Sequence, residues 1–157
     1  MRLYLVQHGE AVAKEVHPDR PLTDKGRDDV RLIGALLAGA GVAVARVVDS
    51  GKVRARQTAE SLAAAIAPGI VIEDVASGLA PKDSSDWLAA AAERWAGDTL
   101  VVGHLPFLER AVARLVCGRD QRGLVAFRPG SVVCLERRED GSGWTIAWMV
   151  RPELIGR

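Results

Sequence analysis

The sequence has only two cysteines in 157 residues, Cys117 and Cys134, and neither stands in a paired motif. That excludes a disulfide framework and a cysteine-based zinc site, and it suits a reducing compartment. Charge of one sign is also missing. The 21 lysines and arginines face 20 aspartates and glutamates, a formal net charge of +1. No overall field therefore draws the chain to nucleic acid or to an acidic membrane surface. No apolar run reaches the ~18 residues that a membrane span needs. The opening "MRLYLVQHG" is too short for the charged and apolar regions of a signal peptide, and the expected location is the cytoplasm. Internal repeats and low-complexity linkers are lacking, and no cluster of carboxylates suggests magnesium. Histidine is scarce too, at three residues.

What remains is an ordinary globular composition, 48% hydrophobic and 26% charged, over a length that fits one domain, residues 1–157. A chain this long buries a normal core without covalent staples. Residues 2–7 are mostly apolar and read as a strand buried on both faces. A loop punctuated by Pro18 and Pro21 follows, then a helix with Thr23 as N-cap and Asp24 in its first turn. Val30, Ile33, Leu36, Leu37 and Ala40 recur at helical spacing, and Gly41 ends that run. Residues 45–50 predict a second strand, with Ser50 capping a helix over 53–66. Residues 70–74 predict a third strand, and Ser84 or Ser85 starts a helix to about 96. Residues 98–104 predict a fourth strand, and Pro106 sits at the first turn of the next helix. "SVVCLERRED" and "WTIAWMV" flank "GSG" and read as a hairpin. The alternation predicts an α/β fold: a three-layer α/β/α sandwich, its central sheet mostly parallel, with a C-terminal antiparallel hairpin at one edge.

Two of the three histidines stand where strands end, His8 in "QHG" and His104 in "GHL". Ligands of open α/β sheets bind beyond the carboxyl ends of strands. From periodicity alone, two unrelated, hydrogen-bonded histidines account for this placement about as well. Arg54 lies in the first turn of the helix after the second strand. Backbone N–H groups at a helix start attract anions, and a guanidinium adds a planar fork that matches phosphate oxygens. Alone, it reads as a solvated surface charge; beside two strand-end histidines it becomes a candidate phosphate clamp.

"QHGEA" near the N-terminus, "RPLTDKG" at 20–26, "S-x-x-x-R-A-x-x-T" at 50–58 and "GHLP" at 103–106 occur in that order. Together they resemble the histidine phosphatase superfamily, and within it the small SixA-type phosphohistidine phosphatases. The resemblance implies that His8 is a nucleophile phosphorylated on a ring nitrogen and that His104 contacts the phosphoryl oxygens. It also implies that Arg54 binds phosphate, with Gln7 beside it, and that no metal or other cofactor is needed. Physics agrees with those roles. A neutral imidazole is a nucleophile near pH 7. Phosphoryl transfer asks mainly for in-line positioning and charge stabilisation, here from Arg54 and a protonated His104.

The chain departs from the family pattern in three places. Gln7 stands where the family has arginine, which weakens phosphate binding by about 1–2 kcal/mol unless Lys52 or Arg56 helps. Gly51 replaces a proline, a change confined to the helix start. Gly78 stands in a segment that in many relatives carries a glutamate acid; Glu10 and Asp83 are the remaining candidates, although each also reads as a solvated loop charge. A site without a strong acid suits phosphohistidine, whose imidazole leaves more easily than an alcohol. The 45 residues between Thr58 and His104 leave no room for an inserted lid. The expected partner is a phosphorylated protein, a histidine-phosphotransfer domain among the candidates. The rivals are a small-molecule phosphomonoesterase and a phosphate-binding regulatory module with weak catalysis.

Overall fold

In β1 (Arg2–Gln7) successive side chains point to opposite faces of the strand, and both faces are apolar. Leu3 and Leu5 enter one core, Tyr4 and Val6 another, and all four are fully buried or nearly so. A strand buried on both sides needs a layer of helices above and below. The computed structural model describes residues 1–75 and 77–156 and supplies those layers. Chain order is β1, α1 (Asp24–Gly39), β2 (Arg46–Asp49), α2 (Val53–Ile66), β3 (Ile72–Asp74) and α3 (Asp86–Arg94). Then come β4 (Thr99–Gly103), α4 (Phe107–Cys117), β5 (Val132–Arg137), β6 (Trp144–Val150) and a 3₁₀ turn, Pro152–Leu154. Helices α1 and α2 bury Val30, Ile33, Leu37, Ala55, Ala59 and Leu62 against the Tyr4 face. Helices α3 and α4 bury Leu88, Ala92, Phe107, Leu108 and Val112 against the Leu5 face.

The six strands form one sheet in the order β3-β2-β4-β1-β5-β6. β1, β2, β3 and β4 are mutually parallel, with Val6 opposite Val102 and Val48 opposite Val101. β5 runs antiparallel to β1, and β6 to β5. The predicted sandwich and edge hairpin are therefore as expected. The topology adds that β4 lies between β1 and β2. Three strand ends, carrying His8, His104 and the β2–α2 turn, thus open on one edge of the sheet.

Local signals set most boundaries. The Thr23 hydroxyl accepts the Gly26 N–H at 2.9 Å and caps α1. Gly118, at φ 75, closes α4 in the left-handed conformation that glycine adopts without strain. The start of α1 crosses the chain just after His8 so closely that a Cβ on Gly26 would fall 2.1 Å from the Glu10 carbonyl oxygen. Three expectations are corrected. Leu36 is exposed, because the buried stripe of α1 runs through Ile33 and Leu37 and leaves Leu36 beside it. β3 begins at Ile72, and Val71 faces solvent. Ser50 does not cap α2, whose N-cap is Lys52 with no side-chain cap bond, because its hydroxyl has another partner. Among the described residues no helix is long and apolar enough to cross a membrane.

Candidate active site

His8 leaves β1 with its backbone tied on both sides. Its N–H donates to the Gly103 carbonyl of β4, and its own carbonyl accepts the Gly130 N–H. The next N–H, of Gly9, donates to the buried hydroxyl of Thr58 at 3.0 Å; that hydroxyl in turn donates to the Arg54 carbonyl at 2.7 Å. The start of α2 is thereby pinned to the end of β1. The imidazole Nδ1–H donates to the Gly9 carbonyl at 2.7 Å, which places the proton on Nδ1 and leaves the lone pair on Nε2. Nε2 accepts from the Arg54 Nε–H at 3.2 Å. Burial is the main cause that pushes the His8 pKa down to about 4; the Gly9 bond opposes it, and the charges of Arg54 and Arg20 add smaller downward effects. His8 is thus neutral at pH 7 with one ring nitrogen available as a nucleophile.

His104 ends β4 beside it. The two rings lie 5.0 Å apart between centroids, tilted by 52°. His104 is 2% exposed, and its Nε2 shares a hydrogen bond of 2.5 Å with the Ser50 hydroxyl. Its Nδ1 is buried with no protein partner among the described residues. Burial is the main cause that lowers its pKa to about 3, followed by His8, Arg54, Lys52 and Arg20. Without an anion His104 is therefore neutral, and the positive charge comes from arginine.

Two guanidinium groups supply that charge. Arg54 and Arg20 line the same cavity as Gln7, His8 and His104, a space of about 370 Å³ that Pro81 and Pro129 also border. Arg20 was not among the residues predicted. It sits in the β1–α1 loop at φ 49, a left-handed conformation costly for a side-chain-bearing residue. Its N–H bonds to the His17 carbonyl and its Nε–H to the Val12 carbonyl at 3.1 Å, which hold that conformation. The only sequence signal for it was "RPLTDKG", read as a helix start.

All four predicted residues, Gln7, His8, Arg54 and His104, line this one cavity. The Gln7 Oε1 is buried without a partner among the described residues. Arg56, expected as a possible helper for phosphate, points elsewhere. Its Nε lies 3.0 Å from the fully buried Asp49 carboxylate, an ion pair under the sheet end. Lys52 is near enough to act on His104 electrostatically but does not border the cavity. Of the two candidate acids, Asp83 accepts the Gly78 and Ala80 N–H groups at 2.7 and 2.8 Å and braces its own turn. Glu10 borders the cavity and accepts the Thr23 hydroxyl at 2.8 Å. His17, the third histidine, accepts the Asp19 N–H within its loop and stays out of the site.

This arrangement brings two guanidiniums and the His8 Nε2, whose lone pair accepts from Arg54, around one cavity, a set of groups suited to a tetrahedral oxyanion. The chain is similar in sequence and fold to known proteins. The family model "Histidine phosphatase superfamily (branch 1)" matches residues 3–75. An uncharacterized protein of Picosynechococcus sp. is 34% identical over 146 residues, 83% of this chain and 87% of that one. The phosphohistidine phosphatase SixA of Escherichia coli K12 is 29% identical over 157 residues, 97% and 94% of the two chains. A solved structure of the protein histidine phosphatase SixA complexed with tungstate superposes with a TM-score of 0.84 at 28% identity, covering 99% of each chain.

Proposed function

This chain belongs to the histidine phosphatase superfamily, and from that premise we propose that it hydrolyses phosphohistidine on a partner protein through a phosphorylated His8. The likeness to SixA supports a phosphatase. The substrate and the roles of the residues are our reading. His8 Nε2 attacks phosphorus; the N–P bond of the substrate breaks, and the leaving imidazole takes a proton from water. Arg54 and Arg20 neutralise the oxygens of the phosphoryl group in flight, and His104 with Ser50 holds another. Water then attacks phospho-His8, the new N–P bond breaks, and inorganic phosphate leaves with His8 restored. The arginines supply the positive charge that other phosphoryl-transfer sites draw from a metal ion, and Gln7 donates to phosphate without adding charge.

The observation that carries the choice of substrate is the engagement of Asp83. One oxygen of its carboxylate, Oδ2, accepts two backbone N–H groups, and Asp83 does not border the cavity, so the segment that bears a glutamate in many relatives places no carboxylate at the site here. An imidazole leaving group needs no such proton donor, whereas an alcohol does. Glu10, the one carboxylate bordering the cavity, is what favours the second reading, a phosphomonoesterase. A substrate panel separates the two: phosphohistidine peptides are expected to turn over at least about a hundredfold faster than phosphoserine peptides and sugar phosphates, a general acid being worth roughly that factor. Equal or faster turnover of the esters overturns the choice.

A further inference from the structure

Beyond the phosphate pocket the same edge of the molecule carries exposed cations without a salt bridge among the described residues, although Glu10, Asp29 and Glu153 share the cavity that Arg128 lines. Lys52 at the start of α2, Lys82 after the cavity-lining Pro81, and Arg128 before the cavity-lining Pro129 are all exposed. None of them, and neither Arg20 nor Arg54, takes part in an ion pair among the described residues. Elsewhere on the surface several arginines pair, Arg2 with Glu136, Arg46 with Glu73, Arg114 with Asp86 and Arg122 with Glu109, while Arg31, Arg94, Arg119 and Arg138 are exposed without an ion pair among the described residues. Every charged group that perturbs His8 or His104 is basic as well.

Arg54 and Arg20 suffice for a phosphoryl group. Lys82 and Arg128 do not border the phosphate cavity itself; Arg128 lines the neighbouring one, which shares Glu10 and Pro129 with it. They approach the mouth from the β3–α3 and α4–β5 connections, which belong to opposite sides of β4 and β1 in the sheet. A substrate side chain reaching His8 brings its flanking residues to these two positions. We infer that this rim selects phosphohistidines set in acidic stretches of a protein, with Lys82 and Arg128 as specificity residues that touch carboxylates beside the phosphorylated residue. The inference rests on the phosphohistidine reading of the pocket. Charges of this kind raise the encounter rate and lose their effect as salt screens them.

The test uses free phosphohistidine and two phosphohistidine peptides, one flanked by glutamates and one by serines, with the wild type and a Lys82→Glu/Arg128→Glu variant. The wild type is expected to show a kcat/KM about tenfold higher for the acidic peptide at low salt, shrinking towards equality at about 0.5 M. The variant is expected to lose that preference and to turn over free phosphohistidine within about twofold of wild type, which also reports that it is folded. Equal kcat/KM for the two peptides in the wild type, with free phosphohistidine still hydrolysed, overturns the rim and leaves the pocket reading standing. A variant that loses activity on all three substrates alike also overturns it. Hydrolysis of none of them by the wild type overturns both.

Discussion

A histidine attacks phosphorus with a lone pair, so at the scale of residues the question is which nitrogen keeps one. The Gly9 carbonyl holds the proton of His8 on Nδ1, and burial with two nearby arginines keeps Nε2 unprotonated. Both histidine pKa values are depressed, to about 4 and about 3, so the reactive neutral form persists as pH falls through the usual imidazole range. The rate of His8 phosphorylation by a small N-phosphoryl donor is therefore expected to hold from pH 8 to about 5 and to fall only near pH 4, once corrected for titration of the donor. A fall by half at pH 6.5 contradicts that electrostatic picture. Gln7 bears on affinity. A guanidinium in its place gains a charged hydrogen bond and removes a buried, unpartnered Oε1. Gln7→Arg is expected to tighten product inhibition by phosphate about tenfold, equivalent to roughly 1–2 kcal/mol; an unchanged inhibition constant argues against a role for residue 7 in phosphate binding. Which residues gather at the cavity was legible in part. His8, His104 and Arg54 stand at strand and helix ends, which alone left them open, and the four ordered motifs singled them out. Arg20 was not singled out, because its placement depends on a left-handed backbone conformation that the sequence does not mark. Ser50 was visible but misread: a serine before a helix suggests a cap, and here the hydroxyl bonds to His104 instead.

At the scale of elements, the site is three chain ends held in register. Thr58 ties α2 to β1, and the close crossing at Gly26 ties α1 to Glu10. Arg56 compensates Asp49, the last residue of β2, whose carboxyl pKa is raised chiefly by burial. Removing the cation leaves a buried carboxylate short of its counter-charge. Arg56→Ala is expected to lower unfolding free energy by about 3 kcal/mol, discounted towards 2 for the partial exposure of Arg56. It is expected to leave the KM for a phosphohistidine peptide unchanged at a temperature where the variant stays folded. Urea unfolding and steady-state kinetics check the two halves, and a raised KM with intact stability returns Arg56 to the phosphate site. The elements were legible because each follows a strong local signal: two-sided apolar runs for β1 and β4, a capped 3.6-residue stripe for α1, "GSG" for the hairpin. Their edges were less so. Leu36 falls just outside the buried stripe, and Val71 lies exposed before β3, because tertiary packing rather than hydropathy decides both.

At the scale of the whole molecule, the decisive fact is the insertion of β4 between β1 and β2. Residues 8, 54 and 104 are far apart in sequence and meet only through that strand order. No local pattern encodes it; the resemblance of four ordered motifs did. The same topology places the rest of α2, β3, α3 and β4 as the regular elements between Thr58 and His104 among the described residues. It leaves the proposed phosphate pocket open to the surface, with Arg20 and Arg54 lining it outside any ion pair among the described residues. The account stands or falls on whether phosphorus becomes bonded to residue 8. The direct measurement is incubation with a small N-phosphoryl donor, rapid quenching at alkaline pH and mass spectrometry of the peptides. The account predicts an acid-labile phosphate on His8 that is absent in His8→Asn and disappears on continued incubation as inorganic phosphate is released. Turnover with no such label on His8 at any time, or undiminished turnover by His8→Asn, contradicts it.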